Sequence, residues 1–232
     1  MNPGWRLVAA FGFALLVVGC TYRGNIDNPV VRRVTWFSYL DGTDIRTACQ
    51  NGGSDRFRLV YNARYQEQVR SYEITADGMG GARLVAWARG RRGAFNISLN
   101  DVFAPGRGRQ SETQLSPAEY RQFLDLLERS GQFAGAPAGL RLFSGDFYWV
   151  GSACRDGVFT YHAWLYSQDG FANVRFSDFL FARDRTGIAV NPPRRIPPSE
   201  FLGPRGRQRD QTEIRFWLQV REDGLGGIAT MF

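Results

Sequence analysis

The chain has 232 residues, 44% of them hydrophobic and 22% charged, with a formal net charge of +7. That length supports a packed core, and the composition excludes collagen-like, coiled-coil and largely disordered chains. All 29 basic residues are arginine, which excludes a P-loop lysine, a Schiff-base lysine and a Ser–Lys dyad. With one histidine, His162, and three cysteines, a zinc site of four protein ligands would have to recruit carboxylates, and none is spaced for it. No metal and no cofactor are expected.

Arg6 precedes an apolar run over residues 7–18. The run has the length of a signal-peptide core and falls short of the roughly 20 residues a membrane-spanning helix needs. It ends in Val17-Val18-Gly19-Cys20. An apolar run, a small residue and a cysteine in that order resemble the lipobox of bacterial lipoproteins. The resemblance implies removal of residues 1–19 as a signal peptide, a tether over 20–30, a diacylglycerol on the Cys20 sulfur and, in many bacteria, an acylated Cys20 amine. Two or more acyl chains anchor stably where one does not. Thr21 stands where an Asp would favour the inner membrane, so in a Gram-negative cell the resemblance implies an outer-membrane lipoprotein facing the periplasm, and in a host with one membrane a lipoprotein on its outside face.

The two cysteines left after such cleavage, Cys49 and Cys154, are expected to form a disulfide, the alternative being two buried thiols. Both are read as lying beside strands. Asp-Gly occurs at Asp41-Gly42, Asp77-Gly78, Asp156-Gly157, Asp169-Gly170 and Asp223-Gly224, and Asp-Gly between apolar runs signals a hairpin. Strands are predicted over 56–62, 69–75, 84–88, 95–99, 146–150, 158–166 and 213–220, several alternating with period two. On the strand around His162, Phe159, Tyr161, Ala163 and Leu165 share one face and His162 shares the other with Trp164. A helix is predicted over 117–130: Ser116 to Glu119 forms a capping box with Pro117 at the first position, Leu115 and Tyr120 a staple, and Tyr120, Phe123, Leu124 and Leu127 an apolar stripe ending before Gly131. A short second helix is predicted over 176–184. The reading is a single α+β domain, mainly antiparallel sheet with one packed amphipathic helix. It spans 31–190, with a Pro- and Arg-rich connector over 191–212 and a C-terminal hairpin over 213–232.

Neither Gly53-Ser54-Asp55 nor Phe143-Ser144-Gly145 completes a nucleophile elbow. Ser152-Ala153-Cys154-Arg155 is similar to the catalytic segment of L,D-transpeptidases, periplasmic enzymes acting on peptidoglycan. That family has His-Gly directly before the cysteine and a further histidine upstream, and this chain has neither. Glu67, Glu73, Asp146, Asp178 and Glu200 are the carboxylates left for a glycosidase pair, and no spacing selects two of them. What remains is a set of arginines in Gly- and Pro-rich segments: Arg89, Arg91 and Arg92; Arg107 and Arg109; Arg194 and Arg195; Arg205, Arg207 and Arg209. Guanidinium forks suit phosphate and carboxylate partners. Export removes nucleic acid as the partner. The expectation is a non-enzymatic, lipid-anchored envelope component that binds other envelope proteins. The alternatives are a module for peptidoglycan or anionic lipid, and a wall-modifying enzyme.

Overall fold

The computed structural model describes residues 36–90, 108–166, 169–196 and 215–231. Helical residues 36–41 (α1) lead into α2 (Thr43–Gln50). There follow β1 (Arg56–Ala63), β2 (Gln68–Ala76), β3 (Ala82–Arg89), β4 (Arg109–Leu115), α3 (Pro117–Arg129), β5 (Arg141–Phe143), β6 (Phe147–Arg155), β7 (Val158–Leu165), α4 (Asp169–Ala172), α5 (Ser177–Arg183), β8 (Arg215–Arg221) and β9 (Gly224–Met231). Six strands make one antiparallel sheet in the order β4-β3-β2-β1-β6-β7, and β5-β8-β9 make a second of three.

Side chains alternate across the central strand β1, and both of its faces are covered. Phe57, Leu59 and Tyr61 point to one side with Tyr72, Ile74, Leu84, Trp149 and Trp164. There α3 covers them through Tyr120, Phe123 and Leu127, and α5 through Phe179 and Leu180. On the other side Val60, Tyr148, Val150, Tyr161 and Ala163 meet Trp36 and Leu40 of α1, together with Leu142, Phe216, Leu218 and Val220 of the second sheet. The result is three layers with the large sheet in the middle. Trp149 is packed among rings, with Tyr61 stacked at 4.8 Å and Phe176 edge-on at 5.1 Å between centroids, geometries that add to plain area burial.

The α+β architecture with mainly antiparallel sheet is as read from the sequence. The α3 cap is the expected capping box, and Gly131 takes a positive φ of 82° just past the helix. Three of the five Asp-Gly pairs open hairpins: Asp77-Gly78 between β2 and β3, Asp156-Gly157 between β6 and β7, and Asp223-Gly224 between β8 and β9. The other two do not. Asp169-Gly170 opens α4, and Asp41-Gly42 is the joint between α1 and α2. Cys49 accordingly lies in the last turn of a helix and not beside a strand. The strand expected over 95–99 lies outside the described residues.

Gly42 explains the joint. Its φ is +70°, and a Cβ there would collide with the Ser152 side chain on β6, so the chain needs glycine both to turn and to let α2 approach the sheet. Gly42→Ala is expected to lower stability by about 2–4 kcal/mol, from left-handed strain plus overpacking. Gly52→Ala, at φ +74° with open space around it, should cost only the strain, about 1–2 kcal/mol. Urea-unfolding midpoints check this, and equal losses would remove the close approach as the cause.

Candidate functional site

Arginine placement organises the polar chemistry of this molecule. Arg58 on β1 has a side chain only 3% exposed. Its two terminal nitrogens donate to both carboxylate oxygens of Asp44 on α2 at 2.7 Å, and its Nε donates to Glu73 on β2 at 3.0 Å. It also donates to the Tyr39 carbonyl at 3.1 Å and lies 3.8 Å over the Tyr39 ring. Arg56 reinforces the cluster, 2.8 Å from Glu73 and 3.4 Å from Asp44. Burial alone would raise the Asp44 and Glu73 carboxyls, but the arginines outweigh it and hold both below the ordinary carboxylate range.

Arg70 on β2 faces the opposite layer and is fully buried. It donates to Gln68 at 2.8 Å, to the Asp184 carboxylate and to the Ile188 carbonyl. Asp184 also accepts from the Tyr72 hydroxyl at 2.8 Å and from the backbone and hydroxyl of Thr186 at 2.9 and 2.6 Å. Against burial, these donors together with Arg70 hold the Asp184 carboxyl below its ordinary value.

The segment after α5 is thereby drawn across one end of the sheet as a strap. Gln68 donates to the Ala189 carbonyl at 2.8 Å and accepts from Asn191 N at 3.0 Å. Asn191 Nδ2 reaches the Ala63 carbonyl at 3.1 Å and Glu67 at 2.9 Å, and the Tyr61 hydroxyl donates to the Asn191 carbonyl at 2.9 Å. Arg194 closes the strap on Glu67 at 3.1 Å and lies 5.4 Å over the Phe147 ring. Glu67 also takes Arg64 at 2.9 Å, so one carboxylate serves two guanidinium groups.

The arginines singled out in the sequence fall into three groups. Arg89 is a correction: it ends β3, is buried, donates to the Tyr65 carbonyl at 3.0 Å and covers the Tyr65 ring, so it does not face outward from a loop. Arg109 begins β4 and is exposed, and Arg194 and Arg195 are exposed on the strap. Arg91, Arg92, Arg107, Arg205, Arg207 and Arg209 lie outside the described residues, as does Cys20. The described residues flanking those two segments sit at the strap end of the sheet: Arg89 pairs with Val69, Arg109 with Ala88, Arg194 with Glu67, and Phe216 accepts and donates hydrogen bonds at Ser144. Sequence reading missed Arg58, Arg70 and Asp184. For Arg58 and Arg70 the only signal is a charged residue at an inward position of an apolar strand, and Asp184, just past the end of α5, has none.

Cys49 and Cys154 are joined by a disulfide across a sequence separation of 105, with Ile45 and Phe159 packed around it. Cys154 and His162 are not brought together, since Cys154 faces α2 while His162 faces the α3 layer, its ring tilted against Trp164 at 4.6 Å and its Nδ1 2.5 Å from the Gly135 carbonyl. Nor do the five candidate carboxylates form a pair. Glu67 and Glu73 are bound to arginines, Asp146 is at the β5–β6 turn with its carboxyl pushed up by burial, Asp178 is exposed on α5 and Glu200 lies outside the described residues. Compared with known families, curated proteins and solved structures, the chain matches none.

Two outcomes follow from this geometry. Cys49→Ala with Cys154→Ala is expected to cost about 4–5 kcal/mol from loop entropy, read as a shift in urea midpoint that reductant reproduces in the parent chain. Burial lowers the His162 pKa despite the Gly135 carbonyl, so the folded state prefers the neutral ring. His162 therefore contributes fully above its unfolded value near 6.5, and that contribution is lost as pH falls below it. Stability measured from pH 7 to 5 should decline in the parent and stay flatter in His162→Gln. Identical slopes would contradict the assignment.

Proposed function

We propose that this chain is a non-enzymatic, lipid-anchored protein of the bacterial cell envelope, held by acyl chains on Cys20, that binds other envelope proteins as a structural or assembly component. The Cys49–Cys154 disulfide carries the reading. Disulfides persist in oxidising compartments, which is where the apolar run and Val17-Val18-Gly19-Cys20 would deliver the chain. The polar interior supports a scaffold role, because Asp44, Glu73 and Asp184 direct their oxygens to arginines that fasten one layer to another. Docking has a place to begin at β7, an edge strand of the large sheet with Val158 62% exposed. The other edge, β4, is polar and partly covered, with Ser111 and Thr113 bonded to the segment from Arg183 to Arg185.

The full chain, tagged and expressed in a Gram-negative host, should carry a lipid label and fractionate with membranes, and Cys20→Ala should lose both. Mild crosslinking before affinity purification should recover defined envelope proteins at comparable abundance. Recovery of the chain alone, or with lipid and wall fragments only, would contradict the assembly role.

A further inference from the structure

Fifteen residues lie between Cys20 and Trp36. A random-coil chain of that length has a root-mean-square span of about 20 Å, less than the roughly 40 Å breadth of a domain this size. The side of the domain where the tether arrives is therefore the side held nearest the bilayer. Trp36 packs 6.2 Å from Tyr65, at the β1–β2 turn, so the tether arrives at the end of the sheet crossed by the strap.

That end is basic. Arg109, Arg185 and Arg195 are exposed there and make no ion pair among the described residues, and Arg194 shares Glu67 with Arg64. The opposite end, formed by the β2–β3, β6–β7 and β8–β9 turns, carries Asp77, Asp156, Glu222 and Asp223 together with Arg83, Arg155, Arg221 and Arg46, and there Asp156 is paired with Arg155 and Asp223 with Arg46. Exposed arginine without a paired carboxylate is thus displayed at the end where the tether arrives, whereas acidic and basic side chains are mixed and partly paired at the other. The strap also holds its backbone in place through Arg70, Gln68 and Asn191, so its arginines are presented from a fixed backbone.

We infer that this end of the domain, through Arg109, Arg185, Arg194 and Arg195, is a contact surface for the anionic phospholipid headgroups of the membrane that holds the anchor. The inference rests on the lipid-anchored reading and adds to it a fixed orientation, with the β2–β3, β6–β7 and β8–β9 turns facing away from the bilayer. Each arginine close to an anionic surface favours contact by about fivefold, and salt screens the attraction.

The test uses the full chain purified from membranes in detergent, with intact mass read first, then reconstituted into vesicles of phosphatidylcholine alone or mixed with phosphatidylglycerol. Amide hydrogen exchange over residues 184–196 should slow in the anionic vesicles only and recover at high salt. R109Q/R185Q/R195Q should shift the contact equilibrium by roughly a hundredfold, whereas R121Q on α3 should leave it unchanged. A chain without acyl groups on Cys20 overturns the anchor and the orientation together. An acylated chain that exchanges equally in both vesicles, is indifferent to the triple substitution, or is protected only when peptidoglycan is added, overturns the surface alone.

Discussion

A sheet covered on both faces holds a guanidinium only if the covering layer supplies the counter-charge, because a buried unpaired cation costs several kcal/mol. Arg58 and Arg70 stand on neighbouring central strands and point to opposite faces. Arg58 draws Asp44 down and with it the α1–α2 pair. Arg70 draws Asp184 down and with it the strap. The two outer layers are thus registered on the middle one by charge as well as by packing, and removal of one partner costs about 3–5 kcal/mol where an apolar replacement of the whole pair can be neutral. In this chain buried arginine supplies register.

The disulfide and Gly42 act on the same junction as Arg58. Cys49 ties the last turn of α2 to β6, Gly42 lets the start of α2 approach Ser152 on that strand, and Asp41 accepts a hydrogen bond from Leu225 N at 2.7 Å. A short helix that would be marginal alone is thereby fixed at both ends, and it links the large sheet to the β8–β9 hairpin. The strap plays the corresponding part at the other end, where Asn191 and Arg194 continue what Arg70 begins.

How far the sequence revealed this depends on whether a signal is local. The helix over 117–129 was legible because capping box, staple, apolar stripe and terminal glycine agree over a few residues. The central strands were legible from their alternation, and so were the two faces around His162. The α1–α2 pair was not, since Trp36 to Leu40 is an aromatic run without helical punctuation and Asp41-Gly42 has the form of a hairpin turn. The left-handed turn and the approach to the distant Ser152 side chain, neither of them local in the sequence, show why glycine stands there. The edge strand β4 was missed because Arg109 to Gln114 has no apolar face to alternate. For the site, the cysteine pair followed from counting, whereas Arg89 could not be told from its neighbours Arg91 and Arg92, because the partner that buries it, Tyr65, is set by the sheet register.

The arginines that remain outside the core are sorted by the same constraint. Those on the strap are displayed at one end of the sheet because Arg70 and Asp184 begin the set of bonds that holds its backbone there. Native-state hydrogen exchange on Asp184→Asn tests that dependence most directly. The account predicts fast exchange at the amides of 185–191 with β1 and β2 still protected. Unchanged protection of the strap, or loss of protection spread evenly over the large sheet, would contradict it.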